Sequence, residues 1–422
     1  MISRRKLLGG LAAGAAVGSG ATLLSGHANG SVLAPKSKAA AGLALTIANK
    51  TGSFDNASVW VYIVGNEGGR QVRVTPDGTL APIALSDNGD DGFTDYAIPL
   101  AGSGDTQLTL PKMSGRIYVA LGDKLKFKAV EGGDGSAALA YPAGWVESDP
   151  NYEVLHDCAE FTYNDGGMYC NTTMVDMFSV PLDIHLTGAK DQKAGELKEG
   201  ARAKIFSDLA GVEGYDKLVV GDKRVIAPGH GLDTGIFAED YFAPAIDEVW
   251  SHYASADLKV TTNAGTFTGR VSGDQFAFTG PAEVSFAKPT TRDVLFCDGN
   301  LAAPNDGTTG PVAAILGAGF NRATLLSQAE QPSTDPATFY QEQIANHYAR
   351  VMHEASADGK AYGFAFLEAL LRHAVGAPEI APVGERDTQI GRDAAVGVDQ
   401  HVGCPPTRSC GPVPGTPAPG SM

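Results

Sequence analysis

Basic residues, cysteines and metal-binding patterns are all scarce in this chain. Lys and Arg number 32 against 48 Asp and Glu, for a net charge of −16. Nucleic acid is therefore not an expected partner, because phosphate contacts need clustered Lys and Arg. A neutral polymer would tolerate this charge. The five cysteines form no Cys-x-x-Cys and the nine histidines show no zinc spacing, so neither a metal nor another cofactor is expected. The acidic run Asp87–Asp95 lacks the Glu that closes a calcium loop at its twelfth position, and reads as a solvated turn. Charged residues are 19% and hydrophobic residues 43% of the chain, which excludes wholesale disorder. The apolar run near the start is too short and too Gly-rich to span a bilayer.

What that run does suggest is a targeting segment. Ser3-Arg4-Arg5-Lys6-Leu7-Leu8 followed by Ala and Gly resembles a twin-arginine export signal. Residues 1–41 are read as signal and leader, and the protein as secreted and extracellular, free of the membrane after signal cleavage, and monomeric. The roughly 380 residues that remain exceed one core, so two domains are expected. With 53 glycines and recurrent strand-and-turn units, the fold class expected is mainly β with α/β. A β-barrel or sandwich domain would cover 42–189 plus 359–367. It includes strands at Leu43–Ala48, Ser58–Val64, Ile117–Leu121 and Ala361–Phe366, with Gly122-Asp123 as a hairpin turn into Lys124–Lys128. A mixed α/β domain would cover 190–358, with helices at 196–209, 237–253, 311–326 and 336–354, and hairpins at 218–226 and 267–278. Residues 368–422, rich in Pro, Arg and Ala, read as an irregular tail.

One segment carries the chemistry. Asn164-Asp165-Gly166-Gly167 is a tight-turn signal, because these residues tolerate positive φ. Centring a hairpin there pairs Glu160 with Asn171, Thr162 with Tyr169 and Tyr163 with Met168. Strand side chains alternate between faces, so Glu160, Thr162, Tyr169, Asn171 and Thr173 share one face and Phe161, Tyr163, Met168 and Cys170 the other. The first face offers an acid, hydrogen-bonding groups and an aromatic platform, which suits a sugar. The register also puts Cys158 and Cys170 on opposite faces, which argues against their pairing. Two carboxylates can hydrolyse a glycosidic bond, and Asp176 is the second candidate. By alternation it does not share Glu160's face; a bulge or bend after Asn171 is required to bring it there.

The run Trp145-Val-Glu-Ser-Asp-Pro-Asn-Tyr152 and then His156–Phe178, with Phe237–Trp250, Phe296–Asn300 and Tyr362–Phe366, resembles glycoside hydrolase family 64. That resemblance implies endo-hydrolysis of β-1,3-glucan to short oligosaccharides such as laminaripentaose, a thaumatin-like barrel and an α/β domain flanking a wide groove, and an inverting mechanism. Glu160 would be the general acid and Asp176 the general base. Thr162, Asn164 and Thr173 match the family's substrate-binding positions, Asn171 lies on the same edge, and Tyr169 stands where the family has Trp. The alternative is a non-catalytic thaumatin-like glucan-binding protein. After Tyr362-Gly-Phe-Ala-Phe366 the family continues with Asp-Asp and a last barrel strand, whereas this chain continues Leu367-Glu-Ala-Leu-Leu-Arg. A shift of reading frame would explain the change, and an open sheet edge is the expected consequence.

Overall fold

The computed structural model describes residues 42–188, 191–364 and 393–398. Its architecture is mainly β-sheet with several helices. One sheet has seven strands: six run from the hairpin strand Gly167–Asn171 through Leu155–Asn164, Met113–Leu121 and Val59–Glu67 to Arg70–Val74 and Leu80–Pro82, and the short Ile98–Pro99 also pairs with Val59–Glu67. Both faces of its central strands are covered. Val59, Val61 and Ile63 pack with Leu43, Leu45 and Ile47 of a second sheet, while Tyr62 and Val64 pack with Phe127, Ala129 and Leu139 on the opposite side. This is why Val59–Val64 reads as a continuous apolar run rather than as an alternation.

Two expectations fail here. Gly122-Asp123 is not a hairpin turn, and Lys128–Glu131 pairs instead with Ala137–Ala140. The strand Met113–Leu121 already has Val59–Glu67 on one side and Leu155–Asn164 on the other, so no edge is left to accept a return strand. Nor is the whole tail irregular. Asp393–Val398 forms a strand parallel to Leu43–Asn49 and antiparallel to Leu182–Thr187. It sits inside the second sheet and joins two strands whose facing edges would otherwise be open. The rest of the region from 365 on, including the last residues of the strand expected at Ala361–Phe366, lies outside the described residues, as do 1–41. Within that expected strand, Tyr362 makes an isolated parallel bridge to Thr173.

A separate core gathers Met174, Phe178 and residues from Leu197 to Phe364. Its helices bury periodic stripes: Ile205 and Leu209 from Ala201–Ala210, and Ile246, Val249, Trp250 and Tyr253 from Ala243–Tyr253. Each such aliphatic or aromatic side chain contributes about 1.5–3 kcal/mol on burial. The hairpins around 221 and 273 form as expected. The helix expected over 336–354 does not. Asp335 caps only the single turn Pro336–Thr338, and the helix proper is His347–Ala355. Asn346 is the reason. Its side chain caps Ala349 N at 3.0 Å and donates to buried Asn321 at 2.8 Å, which commits it to a helix start rather than an interior. Among the described residues no helix is long and apolar enough to cross a membrane.

Candidate active site

The hairpin has the register read from its turn: Glu160 opposite Asn171, Thr162 opposite Tyr169, Tyr163 opposite Met168. Asn164 sits at the tip, where its side chain accepts the Gly166 N–H at 2.7 Å and so closes the turn. Phe161, Tyr163 and Met168 are buried in the core between the two sheets, with Cys170 packed against it. Cys158 belongs to the core on the other face; Cys158 and Cys170 are both free.

The face that carries Glu160 changes character row by row. Tyr62, Tyr118 and Cys158 lie side by side on neighbouring strands and are buried. In the next row Val64, Arg116, Glu160 and Asn171 are aligned, and in the row after it Asn66, Ser114, Thr162 and Tyr169. The core therefore ends where the polar groups begin, and the Thr162 hydroxyl donates to Ser114 Oγ at 3.0 Å. A small depression opens beside these rows, lined by Arg116, Tyr118, Trp145, His156, Asp157, Thr173 and Asp176, among others. Thr173 is buried within it, and its Oγ1 accepts Val175 N–H at 3.5 Å.

Asp176 reaches this site because the chain leaves the hairpin at Asn171 and crosses between cores. Met174 and Phe178 enter the helical core, whereas Val180 and Leu182 return to the inter-sheet core. The crossing segment is anchored by the Met174 N–H to the Tyr362 carbonyl at 2.9 Å and by pairing of Met177 and Phe178 with Ile226 and Val225. This anchoring supplies the bend that strand alternation lacks.

Arg116 joins the two acids. Its Nη2 and Nε donate to Glu160 Oε1 at 2.8 and 3.1 Å, and Nη1 donates to Asp176 Oδ2 at 3.3 Å. On its far side Asp176 Oδ1 lies 2.9 Å from His230 Nε2. Burial by itself would raise the Asp176 carboxyl, but the His230 hydrogen bond and the charges of Arg116 and His230 outweigh it and hold it below the usual range. Beneath them burial pushes Asp157 up to about 7 against three backbone N–H groups that it accepts, and burial drives His156 down to about 3, leaving it neutral.

Arg116 and His230 were not singled out from the sequence. The available signal for Arg116 was a charged residue inside a strand that is otherwise buried from Ile117 to Leu121. His230 follows from pairing: Ala227 donates its N–H to the Asp176 carbonyl at 3.1 Å, and the helix Pro228–Thr234 begins directly after it. Among the described residues no group of His, Cys, Asp and Glu is disposed to hold a metal ion.

An acid pair bridged by one guanidinium, on an open sheet face that also presents hydroxyls, an amide and an aromatic ring, is the chemical equipment of a glycoside hydrolase. The chain belongs to glycoside hydrolase family 64, whose model, described as beta-1,3-glucanase, matches residues 41–368. A glucan endo-1,3-beta-glucosidase of Cellulosimicrobium cellulans is 35% identical over 351 residues, covering 79% of this chain and 63% of that protein. A second, of an Arthrobacter strain, is 34% identical over the same share of each; this chain thus spans about 63% of the length of these relatives. Among solved structures, a laminaripentaose-producing beta-1,3-glucanase in complex with laminaritetraose superposes with a TM-score of 0.72 at 33% identity, covering 85% of this chain and 99% of that one. A beta-1,3-glucanase domain from Clostridium beijerinckii superposes with a TM-score of 0.71 at 27% identity, over 87% and 100%.

Proposed function

We propose that the protein is an exported endo-hydrolase of β-1,3-glucan, acting on laminarin, curdlan or fungal wall glucan and releasing short oligosaccharides such as laminaripentaose. The observation that carries this reading is the shared guanidinium of Arg116, which pairs with Glu160 through one nitrogen and with Asp176 through another. Glu160 donates its proton to the leaving O3 while water attacks the anomeric carbon from the opposite face and gives its proton to Asp176. The C1–O3 bond breaks as the new C1–O bond forms, and the configuration at C1 inverts. This mode needs carboxyls about 6.5–9.5 Å apart, to leave room for the water, whereas a retaining pair stands about 5–5.5 Å apart. A whole guanidinium between the acids favours the wider spacing. The depressed carboxyl of Asp176 suits a base that must be ionised before each turnover. Thr162, Asn171 and Tyr169, with Asn164 at the hairpin tip and Thr173 deeper in the groove, bind the glucan, with the Tyr169 ring stacking on a sugar face.

On this reading the sheets within 42–188 belong to a thaumatin-like barrel domain and residues 191–358 to a mixed α/β domain, with the groove between them. Export by the twin-arginine route rests on Arg4-Arg5, and monomeric action on single glucan chains completes the reading. Reducing-sugar release from curdlan tests it: the wild type should release sugar, and Glu160→Gln should release at most about a hundredth as much while still binding, since general acid catalysis contributes about 10²–10⁴-fold. Binding without release by either protein would leave a non-catalytic glucan-binding protein. NMR of fresh product should show the α-anomer first, and initial β-product would overturn inversion.

A further inference from the structure

His230 lies within a chain of alternating charges that begins at Arg292 on the helix Thr291–Phe296. Arg292 Nη1 lies 2.6 Å from Asp233 Oδ1, and the other oxygen of Asp233 is 3.4 Å from His230 Nδ1. The second ring nitrogen of His230 faces Asp176 at 2.9 Å. The ring is caged as well. Trp145 stacks on it at 4.2 Å with an interplanar angle of 21°, Phe296 meets it edge-on at 5.7 Å, and only 13% of the side chain is exposed. The glycines flanking His230 permit this seat: a Cβ on Gly229 would come 3.0 Å from the Phe296 ring and one on Gly231 2.5 Å from Leu218.

An ionised carboxylate only accepts hydrogen bonds. A ring with a carboxylate at each nitrogen therefore has reason to carry a proton on both. The charged groups facing His230 are Asp176 and Asp233, with Arg116 behind the first and Arg292 behind the second; Trp145 and Phe296 are uncharged. Burial alone would lower the imidazole, but the hydrogen bonds and charges of the two carboxylates hold it above the usual range.

We propose that His230, clamped by Trp145 and tied to Arg292 through Asp233, is the positioning residue that orients Asp176 and keeps it ionised as the base. This rests on the functional reading above. It adds a residue from the α/β region that acts on the reaction through Asp176 and need not touch glucan. With Oδ1 held by His230 and Oδ2 by Arg116, the carboxylate cannot rotate out of line with the attacking water. The same two cations resist its protonation as the solution becomes acid.

Two measurements separate the inference from the functional reading. The first is the pH profile of laminarin hydrolysis by wild type, His230→Ala and His230→Gln. His230→Ala should lose about 100-fold in kcat with KM within about threefold, the range of a disabled general base. Its acid limb should move upward by about one pH unit, because an Asp176 relieved of the cation protonates sooner. His230→Gln retains a donor toward Asp176 without the charge, so it should recover part of the rate and none of the shift. A merely structural role predicts lost folded protein without a displaced limb. The second readout is NMR of ¹⁵N-labelled histidine rings. His230 should titrate above the ordinary histidine value of about 6.5, and below its wild-type value in Asp176→Asn. This holds whether or not glucan is cleaved, so an inactive wild type would remove the functional reading and leave the inference to the ring titration. A wild-type rate and acid limb in His230→Ala, or a ring titration unmoved in Asp176→Asn, would overturn it.

Discussion

Replacing Arg116 tests whether one guanidinium organises both acids. It makes three hydrogen bonds to the carboxylates, two to Glu160 and one to Asp176, and a fourth contact, at 3.4 Å, to the Tyr118 hydroxyl. The acids are 29% and 25% exposed and the arginine 30%, so solvent screens the pairs only in part. Hydrogen bonds to charged groups contribute about 1.5–3 kcal/mol, and partial exposure argues for the lower end. Lys in this place keeps the charge but presents one compact ammonium, which can serve one carboxylate and not bridge two. Arg116→Lys should therefore lose about 1.5 kcal/mol of transition-state stabilisation, or about tenfold in kcat/KM. Arg116→Met loses the charge as well, and about 100-fold is expected. It should also shift the pH profile. Arg116 helps to hold the Asp176 carboxyl below its usual range, so without it Asp176 protonates at higher pH, and activity that needs the ionised base is lost sooner on acidification. The assay is kcat/KM on laminarin from pH 3 to 9, with thermal melts to confirm folding. A folded Arg116→Met enzyme with the wild-type acid limb and rate would refute the argument, and equal activity in Arg116→Lys would show that the fork geometry is irrelevant.

Among the described residues Arg224 is the largest side chain with no exposure at all; it donates to the carbonyls of Gly144 at 2.7 Å and Val154 at 2.8 Å. Arg224→Met leaves the Gly144 carbonyl without this donor, whereas the Val154 carbonyl keeps the His156 ring nitrogen Nδ1 at 2.9 Å. At about 1–3 kcal/mol for one orphaned buried acceptor, a loss of about 2 kcal/mol and a lowered Tm are expected, and an unchanged Tm would count against this account. Because Gly144 precedes Trp145, the same variant should loosen the ring stacked on His230 and lower activity at temperatures where it is still folded. Ending the chain at residue 368 removes Asp393–Val398 and uncovers the facing edges of Leu43–Asn49 and Leu182–Thr187. Such a protein should aggregate at concentrations where the full chain stays in solution, as light scattering would reveal. A soluble, equally stable truncated protein would mean that the inserted strand contributes nothing.

How far the site could be read before the structure depended on the range of the interaction that forms it. The hairpin was legible because its determinants are local: Asn164-Asp165-Gly166-Gly167 sets the turn, and alternation then assigns every side chain from Glu160 to Asn171 to a face. Asp176 was not legible by the same rule. Its orientation comes from Met174 and Phe178 entering one core while Val180 and Leu182 enter another, and no local periodicity encodes a choice between two cores. The helix expected over 336–354 failed for a related reason. Asn346 spends its side chain on a cap and on Asn321, twenty-five residues away. Arg116 lies 44 residues before Glu160 and 60 before Asp176, and His230 lies 54 beyond Asp176, so neither could enter a motif built on spacing. Each nevertheless left a trace. Arg116 is a charge within an apolar strand, and His230 stands between two glycines whose Cβ atoms would crowd Phe296 and collide with Leu218. Burying a charge or giving up side chains costs stability, and such costs are most readily tolerated where function needs the geometry. A local rule broken beside a recognised motif therefore points to the partner that the motif lacks. By that logic Arg116 and His230 are the partners that Glu160 and Asp176 require.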